Sequence, residues 1–316
     1  MNSITLKKRD LLSLMDLDLS EIQRLFTRAS ELKESLARGD TTRTLEGRTL
    51  GMLFEKPSTR TRVSFEVGMY QLGGHALFLS SKEIQLGRGE TISDSARVLS
   101  RYLDALMIRT FAHENAVTLA RFATVPVING LSDHFHPCQI LTDIFTYQEK
   151  RGSLEGRKVA FVGDGNNMAH SWILASVKMG CHLTLACPIN YDPDPVVLSM
   201  AQGQTKTTGI GSISLTRDPR EAVADADLVV TDTWISMGQE QERQRRLRAF
   251  AGFQVDRTLM RLAKKDVLFM HCLPAHRDEE VSSEVLDGEH SVVWDEAENR
   301  LHVQKAILEW LILRRF

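Results

Sequence analysis

Short apolar runs alternate with polar loops and helix-period stretches along the whole chain. In the first half, residues 49–54, 76–79, 105–108 and 125–128 read as strands, with helical spacing at 92–102 and 116–122. In the second half the strand candidates are 159–162, 183–186, 228–231, 267–270 and 292–294. Helical spacing there covers 168–179, a segment near 220–224, and 258–263. Strands that are apolar throughout and alternate with helices belong to parallel sheets covered on both faces. The expected class is therefore α/β.

A long helical pattern over 137–149 ends at Lys150-Arg151-Gly152, and a new strand begins near Arg157. With 316 residues the chain exceeds one ordinary core and suits two. The pattern predicts two domains, residues 1–149 and 150–299, each a parallel sheet flanked by helices. The active site is expected in the interdomain cleft. A closing helix over 300–316 is expected to pack back on the first domain.

Composition narrows the function classes. Net charge is -2, and the densest basic run, Arg243, Arg245, Arg246 and Arg248, sits beside Glu240 and Glu242. That mixture reads as a solvated helix face, so no nucleic-acid partner is expected. No apolar stretch approaches the roughly 18 residues that span a bilayer. The first ten residues lack an apolar core of a secretory signal. Cys138, Cys181, Cys187 and Cys272 show neither a CxxC pair nor zinc-like spacing with histidine. Free thiols, a cytoplasmic location, no membrane partner and no metal are the expectations.

The chemistry-bearing segments all follow strand candidates. Residues 54–62, Phe-Glu-Lys-Pro-Ser-Thr-Arg-Thr-Arg, join a strand to a helix. Ser58 is placed to cap that helix, and Val63, Val67 and Tyr70 then recur at helical spacing. Backbone N–H groups at such a start, with Thr59, Arg60 and Thr61 beside them, favour a multiply charged anion. The Gly-x-x-x-x-Gly-Lys frame of a nucleotide loop is missing. Arg109 ends the 105–108 strand and offers a second guanidinium. His136 stands before Pro137 at a helix start, where the macrodipole disfavours the imidazolium. Gln139 adds an amide nearby.

Gly163-Asp164-Gly165-Asn166-Asn167 suggests a dinucleotide turn, but Met168 stands where a third glycine belongs. The 183–186 strand ends without the acid that would hold a ribose. Asn167 is assigned instead to a polar ligand. Asp232 follows the 228–231 strand and leads into Ser236-Met237-Gly238, an acid and a turn suited to holding an ammonium. Cys272, in His271-Cys272-Leu273-Pro274, follows the 267–270 strand. Each of these residues taken singly also fits a structural role.

Together these segments resemble the aspartate/ornithine carbamoyltransferase family. Ser58–Arg62, Arg109 and His136–Gln139 match its carbamoyl phosphate half. Asp232, Ser236-Met237-Gly238 and His271–Pro274 resemble its ornithine branch. The resemblance implies transfer of the carbamoyl group of carbamoyl phosphate to the side-chain amine of L-ornithine, giving L-citrulline and phosphate. It places carbamoyl phosphate on Ser58, Thr59, Arg60, Thr61, Arg109, His136, Gln139, Cys272, Leu273 and Arg300, with Gln85 reaching from a neighbouring subunit. Ornithine falls to Asn167, Asp232, Ser236 and Met237, and the catalytic group is Arg109, His136 and Cys272. No cofactor is implied, and the assembly is a homotrimer or a multiple of it.

Three rivals predict different observations. Putrescine as acceptor has no carboxylate for Asn167 and Met237, and an acylated ornithine cannot pair through its blocked amine with Asp232. A nicotinamide-dependent dehydrogenase predicts nucleotide binding at residues 163–167. An inactive scaffold predicts no need for Arg60, His136 and Cys272.

Overall fold

The computed structural model describes residues 8–81 and 89–314. It divides into two compact units, Met1–Leu141 with Asn299–Phe316, and Thr142–Glu298. Among the described residues no helix is long and apolar enough to cross a membrane.

The first unit opens with a short turn at Leu14–Asp16 and α1 (Leu19–Ala37). Asp18 starts α1 through a reciprocal capping pair with Glu21. Then follow β1 (Thr49–Phe54), α2 (Thr59–Gln71), β2 (His75–Ser80), α3 (Ile92–Leu99), β3 (Ala105–Arg109), α4 (His113–Phe122), β4 (Val127–Leu131) and α5 (Pro137–Arg151). The strands are all parallel, in the order β2-β1-β3-β4. Leu53, Leu106, Ile108 and Val127 pack with Ala116 and Leu119 of α4 in one core cluster. The β4 strand begins later than the apolar run 125–128 suggests. Pro126 has no N–H to donate, so it supplies only its carbonyl, to Leu106.

The second unit contains β5 (Lys158–Val162), α6 (Asn167–Met179), β6 (His182–Ala186), α7 (Pro195–Thr208), β7 (Ser212–Thr216), α8 (Pro219–Val223), β8 (Leu228–Thr231), α9 (Arg243–Ala249), α10 (Arg257–Met260), β9 (Leu268–His271) and α11 (Ser283–Leu286). Its five parallel strands run β7-β6-β5-β8-β9. The edge strand β7 alternates polar and apolar residues, which hid it from a search for apolar runs.

One strand expectation fails. Residues 292–294 enter α12 (Val293–Leu313) instead. Val292 donates to Phe269 O, and Phe269 to His290 O, so the chain touches β9 only briefly. Asp295 and Glu296 then occupy the first turn of α12, where acidic side chains favour helix.

The later part of α12 belongs to the first unit. Glu309 pairs with Arg28 of α1 at 2.6 Å, and Lys33 donates to Asn299 at 2.8 Å. Gly68 of α2 faces Lys305, where an added Cβ would come within 3.3 Å of its side chain. In each unit the strands point one way, so the loops that follow them share one edge of the sheet.

Candidate active site

At that edge of the first unit, Ser58 caps α2 with its hydroxyl accepting from Thr61 N at 3.2 Å. The β1 and β3 strands lie side by side with Phe54 opposite Arg109, and Glu55 N donates to Arg109 O at 2.8 Å. This register brings the start of α2 and the end of β3 together. Arg109 is buried, with 5% exposure.

Arg300, from α12, reaches the same place. Its Nη2 donates to Thr61 Oγ1 at 2.9 Å, and its Nη1 donates to Gln139 Oε1. His136 is buried, and its imidazole pKa is held well below the usual value. Burial is the main cause, followed by the charges of Arg300 and Arg109. The imidazole is neutral, as the helix position predicts, but burial rather than the macrodipole dominates. Thr59 is exposed and Arg60 half-buried at the open side of the cluster.

Glu55 is a residue the sequence reading gave no role. Its carboxylate accepts from Thr110 Oγ1, from Phe111 N at 3.2 Å and from Asn115 Nδ2 at 3.2 Å. It thus fixes the turn that follows Arg109. Its signal was its place in the loop after β1, one residue beyond the strand. Gln85 lies outside the described residues.

In the second unit the polar cluster centres on Asp232, which is 8% exposed at the end of β8. Cys272 Sγ donates to its Oδ1 at 3.1 Å, and Thr233 N donates to the same oxygen at 2.8 Å. Asn166 Nδ2 donates to Oδ2 at 2.8 Å. The other end of the Asn166 amide caps α6, accepting from Met168 N at 2.9 Å. Asn166 is the second residue that sequence reasoning passed over, in favour of its neighbour Asn167. An asparagine just before a helix-period stretch is the cap signal that could have found it. Asn167 begins α6 nearby and is largely buried.

Burial, together with the adjacent Asp232 carboxylate, pushes the Cys272 thiol well above its ordinary pKa. The sulfur therefore keeps its proton at neutral pH. Leu273 has a left-handed φ of 56° and is followed by a cis peptide to Pro274. A left-handed leucine is uncommon and marks a backbone held by its surroundings. His271 supplies part of that hold, since its Nδ1 accepts from Leu273 N at 2.9 Å.

The Ser236–Met237 turn is closed by its own contacts. Ser236 N donates to Gln239 Oε1 at 3.1 Å, and Gly238 N to Glu240 Oε1 at 3.0 Å. Met237 is exposed. Ahead of this turn, Trp234 is anchored by stacking on Phe250 at 5.3 Å.

The Gly163–Asn167 turn has a packing explanation. A Cβ on Gly165 would lie 2.2 Å from Pro193 N and 2.3 Å from Asp192 C. The glycine is needed for backbone approach within the unit. Asp164 pairs with Arg246 at 2.8 Å, while burial raises its pKa to about 6. Asp232, His271 and Cys272 lie close enough to share a metal ion. Their donor atoms are engaged with one another, with Glu280 and with the backbone.

The class that emerges is a two-unit α/β protein with an arginine-lined helix start in one unit and a buried carboxylate–thiol pair in the other. Residues 9–149 match the aspartate/ornithine carbamoyltransferase carbamoyl-P binding domain, and residues 155–311 match the Asp/Orn binding domain of the same family. The chain belongs to the aspartate/ornithine carbamoyltransferase family. It is 56% identical over 305 residues to the ornithine carbamoyltransferase of Syntrophus aciditrophicus, covering 96% of this chain and 100% of that one. It is 55% identical over 304 residues to an anabolic ornithine carbamoyltransferase of Pseudomonas savastanoi, covering 96% and 97% of the two chains. The solved ornithine carbamoyltransferase from Pyrococcus furiosus superposes with a TM-score of 0.93 at 52% identity, covering 98% of this chain and 99% of that one.

Proposed function

We propose that the protein transfers the carbamoyl group of carbamoyl phosphate to the side-chain amine of L-ornithine, releasing phosphate and L-citrulline for arginine biosynthesis. The observation that carries this reading is the buried meeting of Arg109, Arg300 and a neutral His136 at the start of α2. Two guanidinium groups and a helix N-terminus suit a doubly charged leaving group. A neutral imidazole suits a carbonyl oxygen, to which it donates one hydrogen bond.

In this reading the phosphate rests on Ser58, Thr59, Arg60, Thr61 and Arg109. His136 and Gln139 hold the carbamoyl end, completed by Arg300, the Leu273 carbonyl, Cys272 and, from a neighbouring subunit, Gln85. Ornithine places its amine at Asp232 and its carboxylate at Asn167 and the Met237 backbone, with Ser236 in the same turn. The neutral amine attacks the carbonyl carbon, and a C–N bond forms. The tetrahedral intermediate then expels phosphate as the C–O bond breaks. Arginines and backbone N–H groups stabilise the negative charge that grows on the leaving oxygen. The amine proton departs to the released phosphate or to solvent.

Cys272 is assigned here to orienting Asp232, not to removing a proton. Its raised pKa keeps the thiol a donor at neutral pH. The nucleophile is the free amine, for which the ordinary pKa near 10 must be overcome. Desolvation and the arginines favour the neutral form.

The assembly we infer is a homotrimer or a multiple of it. Supporting this are exposed Val63, Val67 and Tyr70 on α2, with Leu77 on the edge strand β2. A cytoplasmic location fits four free cysteines. The test is a citrulline assay with carbamoyl phosphate and ornithine, putrescine, N-acetylornithine or aspartate as acceptor. Turnover with ornithine far above the others is expected. Preference for another acceptor, or no product, overturns the reading.

A further inference from the structure

Behind the Cys272 loop lies a group of donor atoms that carbamoyl transfer leaves unused. His276 Nδ1, Glu279 Oε2 and Glu280 Oε2 are all buried, and none has a hydrogen-bond partner among the described residues. Ligand atoms of these three residues lie within 4.8 Å of one another. His276 Nδ1 stands 3.7 Å from Glu280 Oε2.

Glu280 is 0% exposed. Its Oε1 is engaged by His271 Nε2 at 3.2 Å and by the backbone N–H of His276. Glu279 uses Oε1 to pair with Arg243. Each carboxylate thus commits one oxygen to the protein and leaves the other buried without a hydrogen-bond partner among the described residues. Arg277, the next cation in the loop, is committed to Asp287. Two carboxylates therefore face one guanidinium and two imidazoles.

We propose that His276, Glu279 and Glu280 form a divalent-cation site of the zinc class, with one nitrogen and two oxygen ligands. Around a tetrahedral zinc, ligands at about 2.0–2.2 Å stand roughly 3.3–3.5 Å apart. A contraction of a few tenths of an ångström closes the His276–Glu280 side to that spacing. The second oxygen of Glu280 holds His271, and His271 holds the Leu273 backbone. A bound cation fixes Glu280 and steadies the loop that carries Cys272.

The test is a titration of the chelator-treated, intact protein with cobalt(II), followed by zinc competition. The expected spectrum is that of a nitrogen–oxygen site, without a thiolate-to-cobalt charge-transfer band, and it persists in Cys272→Ser. His276→Ala and Glu279→Gln each weaken binding about tenfold or more. Thermal melting of both variants checks that they fold, and either folded variant suffices. Absence of binding shows only a histidine–carboxylate ion pair and overturns the proposal. So does binding that shows the thiolate band and disappears in Cys272→Ser, or binding that both folded variants retain. These outcomes are independent of which acceptor the citrulline assay selects.

Discussion

The polar clusters of the two units solve the same problem with opposite charges. In the first unit, burial, reinforced by the guanidinium groups of Arg300 and Arg109, keeps the His136 imidazole neutral. In the second, burial, reinforced by the carboxylate of Asp232, keeps the Cys272 thiol protonated. Each cluster holds one kind of fixed charge and suppresses the ionisation that would add to it. The construction also differs. The first cluster is tied across 239 positions of sequence, from Thr61 to Arg300, whereas Asp232 is met by donors from three loops of its own unit. The first cluster is built in advance from backbone and arginine. The second centres on one acid whose own donors set its direction.

The largest effect should come from removing a charge from the first cluster. Arg109→Ala is expected to lower kcat by about 100- to 1,000-fold, the usual loss for one donor to a developing negative charge. The ornithine KM should change far less, because Asp232 and its donors lie in the other unit. Single-turnover kinetics measure the chemical step directly. A loss below tenfold would mean that charge does not build up beside Arg109, and the contrast between the clusters would lose its catalytic meaning.

The second cluster should respond to the donor, not to thiolate chemistry. Cys272→Ala removes a hydrogen bond to a carboxylate, a loss of about 1.5–3 kcal/mol. That corresponds to roughly ten- to hundredfold in kcat/KM for ornithine. Cys272→Ser keeps an O–H donor and should recover most of it. Serine performing no better than alanine would exclude the orienting role and return the sulfur to direct chemistry.

How much of this was legible in the sequence follows the same division. The first cluster announces itself locally, since a capping serine, hydroxyls and arginines stand together in Ser58–Arg62. Arg300 could not be read from spacing, because its partners Thr61 and Gln139 are joined to it only by folding, and it entered through family resemblance. The register of β1 against β3 brings Arg109 to the helix start, and apolar strands reveal that a sheet exists but not its strand order. In the second unit, Asp232 and Cys272 were visible as polar residues after strands. Asn166 was hidden behind Asn167, because the choice depends on where α6 begins, a matter of one residue. The strand expected at 292–294 became helix because two acids in the next turn outweighed three apolar residues.

A pH titration of stability sharpens the first cluster next. His136 has a lowered folded-state pKa, against about 6.5 for an unfolded histidine. Above pH 6.5 both states are neutral there and the residue adds no pH dependence. As pH falls below 6.5 the unfolded chain takes up a proton that the fold refuses, so stability declines toward acid. The contribution is at most about 1.4 kcal/mol per pH unit. His136→Gln should flatten the acid limb of a urea-midpoint profile between about pH 6 and 5. An unchanged slope would show that the imidazole is not held neutral.

The smallest and most discriminating change is at Asn166, which serves two ends with one amide. Its oxygen caps α6 and its nitrogen holds Asp232. Asn166→Ala loses both and should cost about 1 kcal/mol of stability through the cap alone, with ornithine KM raised severalfold. Asn166→Asp keeps a good cap, since the two residues are near equals there, but exchanges the donor for a second negative charge beside Asp232. The cap is then kept, but the like charge beside the buried Asp232 costs stability at neutral pH. The ornithine KM should rise further in this variant than in Asn166→Ala. If both variants lose only stability and leave the ornithine KM untouched, Asn166 is a helix cap and nothing more, and the direction of Asp232 is set by Cys272 and Thr233.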